Sequence, residues 1–297
     1  MIEVVRAGPL ATVQDLGRPG LAYLGVGRSG AADAGSLRLA NRLVGNHEGA
    51  ACLEITFGNF EARFEQAATV ALAGAPCPVS VSGRDRFMHG PIQLIADDRL
   101  SVGAPTAGVR TYLAVRGGIA VTPVLGARST DLLSGVGPEP LAAGMRLPVG
   151  DAAADLPCVD VAPVPPIPAE IVLRMLPGPR DDWFTPAALT TLTSHPYQVS
   201  PQSNRVGIRL TGPSLDRARP GELASEGMVS GAVQVPPSGQ PVVFLADHPV
   251  TGGYPVIAVV AEPDICLAAQ ARPGQLVRFR RELPRRTGRG GPSAATG

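Results

Sequence analysis

Short apolar bursts, punctuated by glycine and proline, run along most of this chain, and their period is two. Residues 2–5 (IEVV), 68–74 (ATVALAG), 79–83 (VSVSG), 92–96 (IQLIA) and 110–118 (RTYLAVRGG) each read as a strand closed by a turn. The second half repeats the pattern at residues 171–176, 207–211, 233–235, 242–246, 257–260 and 277–279. Helical spacing is clear once. In ADAGSLRLANRLVGN, Leu37, Ala40, Leu43 and Val44 share one face, Asp33 is placed to cap the start, and Gly45-Asn46 supplies the stop. A second short helix is predicted around residues 185–192, with Asp181 and Asp182 near its positive end. The chain reads as mainly β with two or three short helices, and β-barrels are the usual way such chains hide their sheet edges.

The alternation lapses once. The stretch PVGDAAADLPCVDVAPVPPIPAE, residues 148–170, carries six prolines and neither helical nor strand periodicity. It divides the chain into an N-terminal β domain with one helix (1–150), a Pro-rich linker (151–169), a C-terminal β-barrel domain (170–282) and a basic, disordered tail (283–297). The linker reads either as a spacer or as an extended surface loop.

Composition narrows the chemistry. All 26 basic residues are arginine, so no Schiff-base lysine, phosphate-loop lysine or biotinyl-lysine exists on this chain. Anions must be held by arginine forks or backbone N–H groups. A net charge of +1 gives the body of the protein no reason to bind nucleic acid. The six arginines between 278 and 289 read as a solvated tail rather than a polyanion-binding arm. The four cysteines form no metal or disulfide spacing, and no apolar run approaches the ~20 residues of a membrane span, so a cytoplasmic protein with no metal is expected. The four histidines sit in no nucleophile-elbow setting, and no HExxH or Cys/His cluster is present.

What remains is a set of polar turns. Residues 225–255, SEGMVSGAVQVPPSGQPVVFLADHPVTGGYP, gather Glu226, Gln234, Asp247, Thr251, Gly252, Gly253 and Tyr254 between two strand-like runs. Alone, TGGY equally describes a tight hairpin with Tyr254 packed on the core. Three arginine loops accompany it: TVQDLGRPG (Gln14, Asp15, Arg18), LAVRGGI (Arg116) and SNRVGIRLTG (Ser203, Asn204, Arg205). Each has nearby glycine that lets a ligand approach the backbone, which makes anion recognition a candidate chemistry. The plainer reading of the first loop is that Asp15 pairs with Arg18 to close it.

These blocks, taken in order, resemble the allophanate hydrolase subunit 2 family, also called the kinase-inhibitor-antagonist family. They are TVQDLGRPG, SGAAD-x4-RLANRLVGN, LE-x-T at 53–56, NRVGIRLTG and GAVQVPPSGQP followed by D-x3-TGGYP. The resemblance covers residues 2 to about 279. It implies β-barrel domains of cyclophilin-like kind. It also implies a place as the C component of a prokaryotic 5-oxoprolinase complex, with a kinase-inhibitor-like B component and a lactam-utilisation-type A component. ATP, used by the complex, would drive ring opening of 5-oxoproline to glutamate, with no covalent cofactor on this chain. The alternatives within the same resemblance are a biotin-dependent carboxyltransferase of the urea type and a non-catalytic regulatory partner. Asn204 stands where aspartate often precedes the arginine, and Pro249-Val250 where Gln-Thr often precede TGGYP, departures that favour the lactam over the urea role.

Under that resemblance Arg18, Arg116 and Arg205 become the residues expected to hold carboxylate or phosphate oxygens. Gln234, Thr251 and the Gly252-Gly253 backbone would orient the amide, and Asp247 or Glu226 would serve acid–base steps. Gln14, Asp15, Ser203, Asn204 and Tyr254 complete the expected substrate-binding set.

Overall fold

The computed structural model describes residues 1–152, 155–221 and 223–282. The expectation of a disordered tail at 283–297 lies outside them. In the first half, β1 (Ile2–Arg6), β2 (Leu10–Gln14), α1 (Ala34–Leu43), β3 (Cys52–Thr56), β4 (Phe60–Phe64), β5 (Ala68–Gly74), β6 (Val79–Val81), β7 (Arg84–Arg86), β8 (Pro91–Leu94), β9 (Arg99–Val102), β10 (Arg110–Val115) and β11 (Arg146–Leu147) form two sheets. Their orders are β11-β1-β4-β9-β6-β7 and β2-β3-β10-β5-β8. Strand alternation decides which side chains meet. Phe60, Ala62 and Phe64 of β4 point inward, while Glu61 and Arg63 point out to Arg99 and Glu3 on the neighbouring strands.

The central strand β10 is buried on both faces, and its two faces do different work. Leu113 and Val115 join Leu53, Ile55 and Leu72 in the core between the sheets. Tyr112 and Ala114 turn the other way, with Ala71 and Ala73, against Leu37, Ala40 and Leu43 of α1. The alanines leave room for the helix to lie close, and Tyr112 is the polar exception on that face. Asp33 caps α1 by accepting from Ser36 N at 3.0 Å, and Gly45 continues the chain at φ 71°.

The second half comprises β12 (Glu170–Pro177), α2 (Pro186–Ser194), β13 (Tyr197–Val199), β14 (Gly207–Thr211), β15 (Glu226–Gly227), β16 (Ala232–Gln234), β17 (Val242–Phe244), β18 (Thr251–Gly252), β19 (Val256–Val260), α3 (Glu262–Ala268) and β20 (Leu276–Arg281). Seven of its strands close into a barrel, β12-β19-β16-β17-β14-β13-β20, sealed by the parallel pairing of β12 with β20. Ile171, Leu173, Val233, Val243, Ile208 and Phe279 fill it. The short strands β15 and β18 pair separately as a two-stranded ribbon. Asp181 and Asp182 sit in a 3-10 turn (Asp181–Trp183) of their own rather than on α2, whose cap is Thr185.

The segment between the halves holds no helix or strand among its described residues, and it is laid down on the N-terminal half. Ala162 N donates to His89 O at 2.8 Å, and Val159 and Ala162 pack beside α1.

Candidate functional site

Three of the sequence blocks converge where the halves meet, around the Arg205 side chain, which is only 1% exposed. Its Nε and Nη2 donate to the two oxygens of Asp247, each at 2.9 Å, its Nη1 to Glu54 Oε1 at 2.5 Å, and its Nη2 also to Gly30 O at 2.6 Å. Glu54, on β3, also faces Arg110 Nε at 3.4 Å and accepts from Tyr112 Oη at 2.7 Å and Ala32 N at 3.1 Å. Asp247 accepts from Leu132 N at 3.1 Å and lies 2.7 Å from Ser29 Oγ. Two buried guanidinium groups thus meet two buried carboxylates, and the charges balance. Burial by itself would raise the Glu54 carboxyl, but the Arg205 and Arg110 charges outweigh it and hold the group below its ordinary range. Arg205 is disfavoured by burial yet held charged by Glu54 and Asp247.

A second polar knot extends this contact. Gln270, just after α3, accepts from Val109 N and Arg110 N, both at 2.9 Å, and donates to Arg110 O and to Asp33 Oδ2. One side chain of the barrel half therefore satisfies the entry to β10 and the cap of α1.

Arg205, expected to hold carboxylate or phosphate oxygens, pairs with Asp247 and Glu54, and Asp247, expected to serve acid–base steps, pairs with Arg205. Their donors and acceptors face the interior, because ions are buried at low cost only if they are paired. The neighbouring crevice, about 150 Å³ in volume, is bordered by Arg205, Ser203 and Asn204. There Asn204 Oδ1 accepts from Val206 N and Gly207 N, and Ser203 Oγ from Arg209 N, so both side chains hold the turn into β14. The two alternative candidates for acid–base work, Asp247 and Glu226, are not brought together. Asp247 is buried, whereas Glu226 lies on the β15–β18 ribbon in a bidentate pair with Arg180. The Arg180 hydrogen bonds hold the Glu226 carboxyl below its usual range.

The ribbon does gather the TGGY residues. Gln234, at the end of β16, donates to Tyr254 O at 3.1 Å, and a Cβ at Gly252 would come within 2.7 Å of Gln234 Nε2. Tyr254 is 43% exposed with the Arg217 guanidinium 5.9 Å from its ring centre, and Thr251 is exposed. Arg116 stands apart from these groups. It borders a cleft of about 440 Å³ with Thr69 and Gln93, and its Nη1 donates to Val44 O at 3.1 Å.

The first loop does not close as the simple pairing expects. Asp15 turns away from Arg18 and accepts from Gly17 N at 2.8 Å, from Arg128 N at 2.6 Å and from Ser129 Oγ. Arg18 instead donates to Ser129 O. Gln14 Nε2 donates to Thr130 O at 2.9 Å, and Ser29 Oγ lies 3.0 Å from that same carbonyl. Ser29 thereby joins this loop to the Asp247 cluster. Sequence patterning does not single out Glu54, Arg110, Ser29 or Gln270. Only the first and third lie in a distinctive block, and nothing local marks any of them as a partner of residues more than a hundred positions away.

Comparison with known proteins follows the same outline. Residues 24–281 match the carboxyltransferase domain, subdomain A and B. The chain is 41% identical to the C component of 5-oxoprolinase from Escherichia coli (strain K12) over 282 residues, covering 94% of this chain and 90% of that protein. It is 32% identical to urea amidolyase of Lachancea kluyveri, covering 93% of this chain and 17% of that one. The crystal structure of TTHA0988 superimposes with a TM-score of 0.86 at 38% identity, covering 94% of this chain and 55% of that chain. That of the K. lactis urea amidolyase gives 0.86 at 30% identity, with 94% and 18% covered. The chain thus spans most of the E. coli protein, about half of TTHA0988 and under a fifth of the amidolyase.

Proposed function

The chain belongs to the family of the carboxyltransferase domain, subdomain A and B, and on that premise we propose that it is the C component of a 5-oxoprolinase complex. In this reading ATP is consumed at the level of the complex, and 5-oxoproline is opened to glutamate. The chain works with a kinase-inhibitor-like B component and a lactam-utilisation-type A component. The observation that carries the reading is its near end-to-end match to a protein named as the C component of 5-oxoprolinase.

The geometry supports a shared site better than a self-contained one. The buried charged groups Arg205, Asp247, Glu54 and Arg110 are paired with one another between the two halves of the chain. On the ribbon and the turn after it, Glu226, Thr251, the Gly252-Gly253 backbone and Tyr254 are partly or fully exposed. A 5-oxoproline amide is stable, so its carbonyl needs activation, and phosphorylation by ATP supplies that. In this reading the ribbon orients the amide, Glu226 takes part in proton transfer once its pair with Arg180 opens, and Arg205 and Asp247 are positioning residues. The test is reconstitution of the three proteins with 5-oxoproline and ATP. Glutamate release that depends on this chain is the expected result, and E226Q is expected to lower kcat more than it changes KM.

A second reading is favoured by the family's own description and by the amidolyase match: carboxyl transfer from a biotin carried by another chain. A biotinylated partner that co-purifies and supports urea carboxylation would establish it in place of the first.

A further inference from the structure

Three arginines are buried among the described residues, and they are not treated alike. Arg205 faces two carboxylates and Arg110 faces one. Arg18 is 2% exposed, yet no carboxylate lies within ion-pair distance of it, and its Nε and Nη1 have no hydrogen-bond partner. The two acids on the adjoining loops are already engaged: Asp15 by Gly17 N, Arg128 N and Ser129 Oγ, Asp131 by Leu133 N and Ser134 N. Two neighbours share the deficit. Gln14 Oε1 and Thr130 Oγ1 are also buried without partners. Gln14 and Arg18 reach the same two-residue segment, Gln14 through Thr130 O and Arg18 through Ser129 O. A lone buried cation is among the costlier arrangements in a protein interior. Trapped water would satisfy N–H groups there but would not neutralise the charge.

We propose that Arg18 is the anchor of a subsite for a small carboxylate, and that Gln14 Oε1 receives an N–H of the same ligand. Only one Nη2 proton is used by Ser129 O. Whichever one that is, the opposite edge of the guanidinium keeps two parallel donors, the arrangement that a carboxylate accepts from. An amide N–H beside a carboxylate is the chemistry of a lactam acid, so the subsite deepens the reading above and rests on it for the identity of that ligand. Entry is beneath the loop of residues 19–27. The loop is pinched at its neck by Arg18 N to Arg28 O at 2.8 Å and Ala31 N to Asp15 O at 2.9 Å. Its tip stands free, with Tyr23 81% and Leu24 59% exposed. The orphaned groups are sealed, so binding there requires the tip to lift for a ligand to reach them.

The test titrates the full chain, alone and in the reconstituted complex, with 5-oxoproline, acetate, the neutral lactam 2-pyrrolidinone and inorganic phosphate. The Arg18 side-chain N–H signal is followed by NMR, assigned by its loss in R18Q. The expected result is saturable movement of that signal by 5-oxoproline and, more weakly, by acetate, with none by 2-pyrrolidinone. Affinity for 5-oxoproline falls at least about tenfold in R18Q, by loss of a charge-assisted pair. It falls less in R18K, which keeps the charge but not the two-donor edge. Q14L weakens 5-oxoproline but leaves acetate unchanged. Equal affinity in wild type and R18Q, saturation by phosphate in place of carboxylate, or an Arg18 signal that no carboxylate moves (a site for buried water only) each overturns the proposal. If R18Q does not fold, the wild-type titration and R18K decide it. Carboxylate binding without ATP-dependent glutamate release keeps the subsite and removes the functional reading, and the reverse removes the subsite alone.

Discussion

Single residues carry the polar logic of this protein, and they differ in how their charges are neutralised. Truncating Arg205 to alanine leaves Glu54 and Asp247 buried without their cation, a change that costs about 3–5 kcal/mol. Urea unfolding of R205A is expected to show that loss. R18Q should do the opposite, leaving the unfolding midpoint unchanged or higher, because it removes a buried charge that lacks a carboxylate. The Glu54 carboxyl adds a pH signature. Its folded value lies below the ordinary 4.5. The stability it contributes is therefore complete above the unfolded value and is lost as pH falls through the folded one. Urea midpoints measured from neutral pH into the acid range below about 4.5 should fall more steeply for wild type than for E54Q. Residue types at these positions are legible in the sequence, since Arg205, Asp247, Arg18 and Gln14 stand in distinctive blocks. Their partners are not. Ser29 is 218 positions from Asp247, and Glu54 is 151 from Arg205. Local pattern holds no record of pairings that only the fold creates.

Elements are legible where alternation is strong and obscure where geometry alone defines them. Strand β14 is expected at its observed bounds, and α1 with its Asp33 cap, because each has its full periodicity in a few residues. The two-residue strands β11, β15 and β18 have too few positions to show a period, and β15 and β18 exist as a ribbon only through their mutual pairing. Helix α3 follows a strand with no side-chain cap, and its only local signals are Pro263 and the acids Glu262 and Asp264 in its first turn. The neck of the loop at residues 18–28 supplies an element-scale test. Gly17 has φ 81°, and a Cβ there would lie 2.4 Å from Arg28 O. G17A is expected to cost more than about 2 kcal/mol through strain and clash. Its effect should be local, with faster amide exchange at Arg18 and Ala31, the neck donors, than in the strands.

At the scale of the whole molecule, the sequence places a division in its proline-rich middle but says nothing of how the two halves are joined. The join is polar and buried. Arg205, Glu54, Asp247 and Arg110 form its ionic part, and Gln270 ties β10 and the α1 cap to the barrel. Such a contact makes the halves interdependent, so wild type should unfold in one transition. E54A or R205A should separate the melting of the barrel from that of the paired sheets, as seen by calorimetry. Among the described residues no helix is long and apolar enough to cross a membrane.

The central claim, that this chain is a working part of an ATP-dependent lactam-opening complex, is met most directly by one assay. The chain is combined with the kinase-inhibitor-like and lactam-utilisation-type proteins proposed as its partners, and glutamate formed from 5-oxoproline is measured with ATP and with each component withheld in turn. The account predicts glutamate only when ATP and all three proteins are present. Undiminished glutamate release without this chain, or none with the full set, would contradict it.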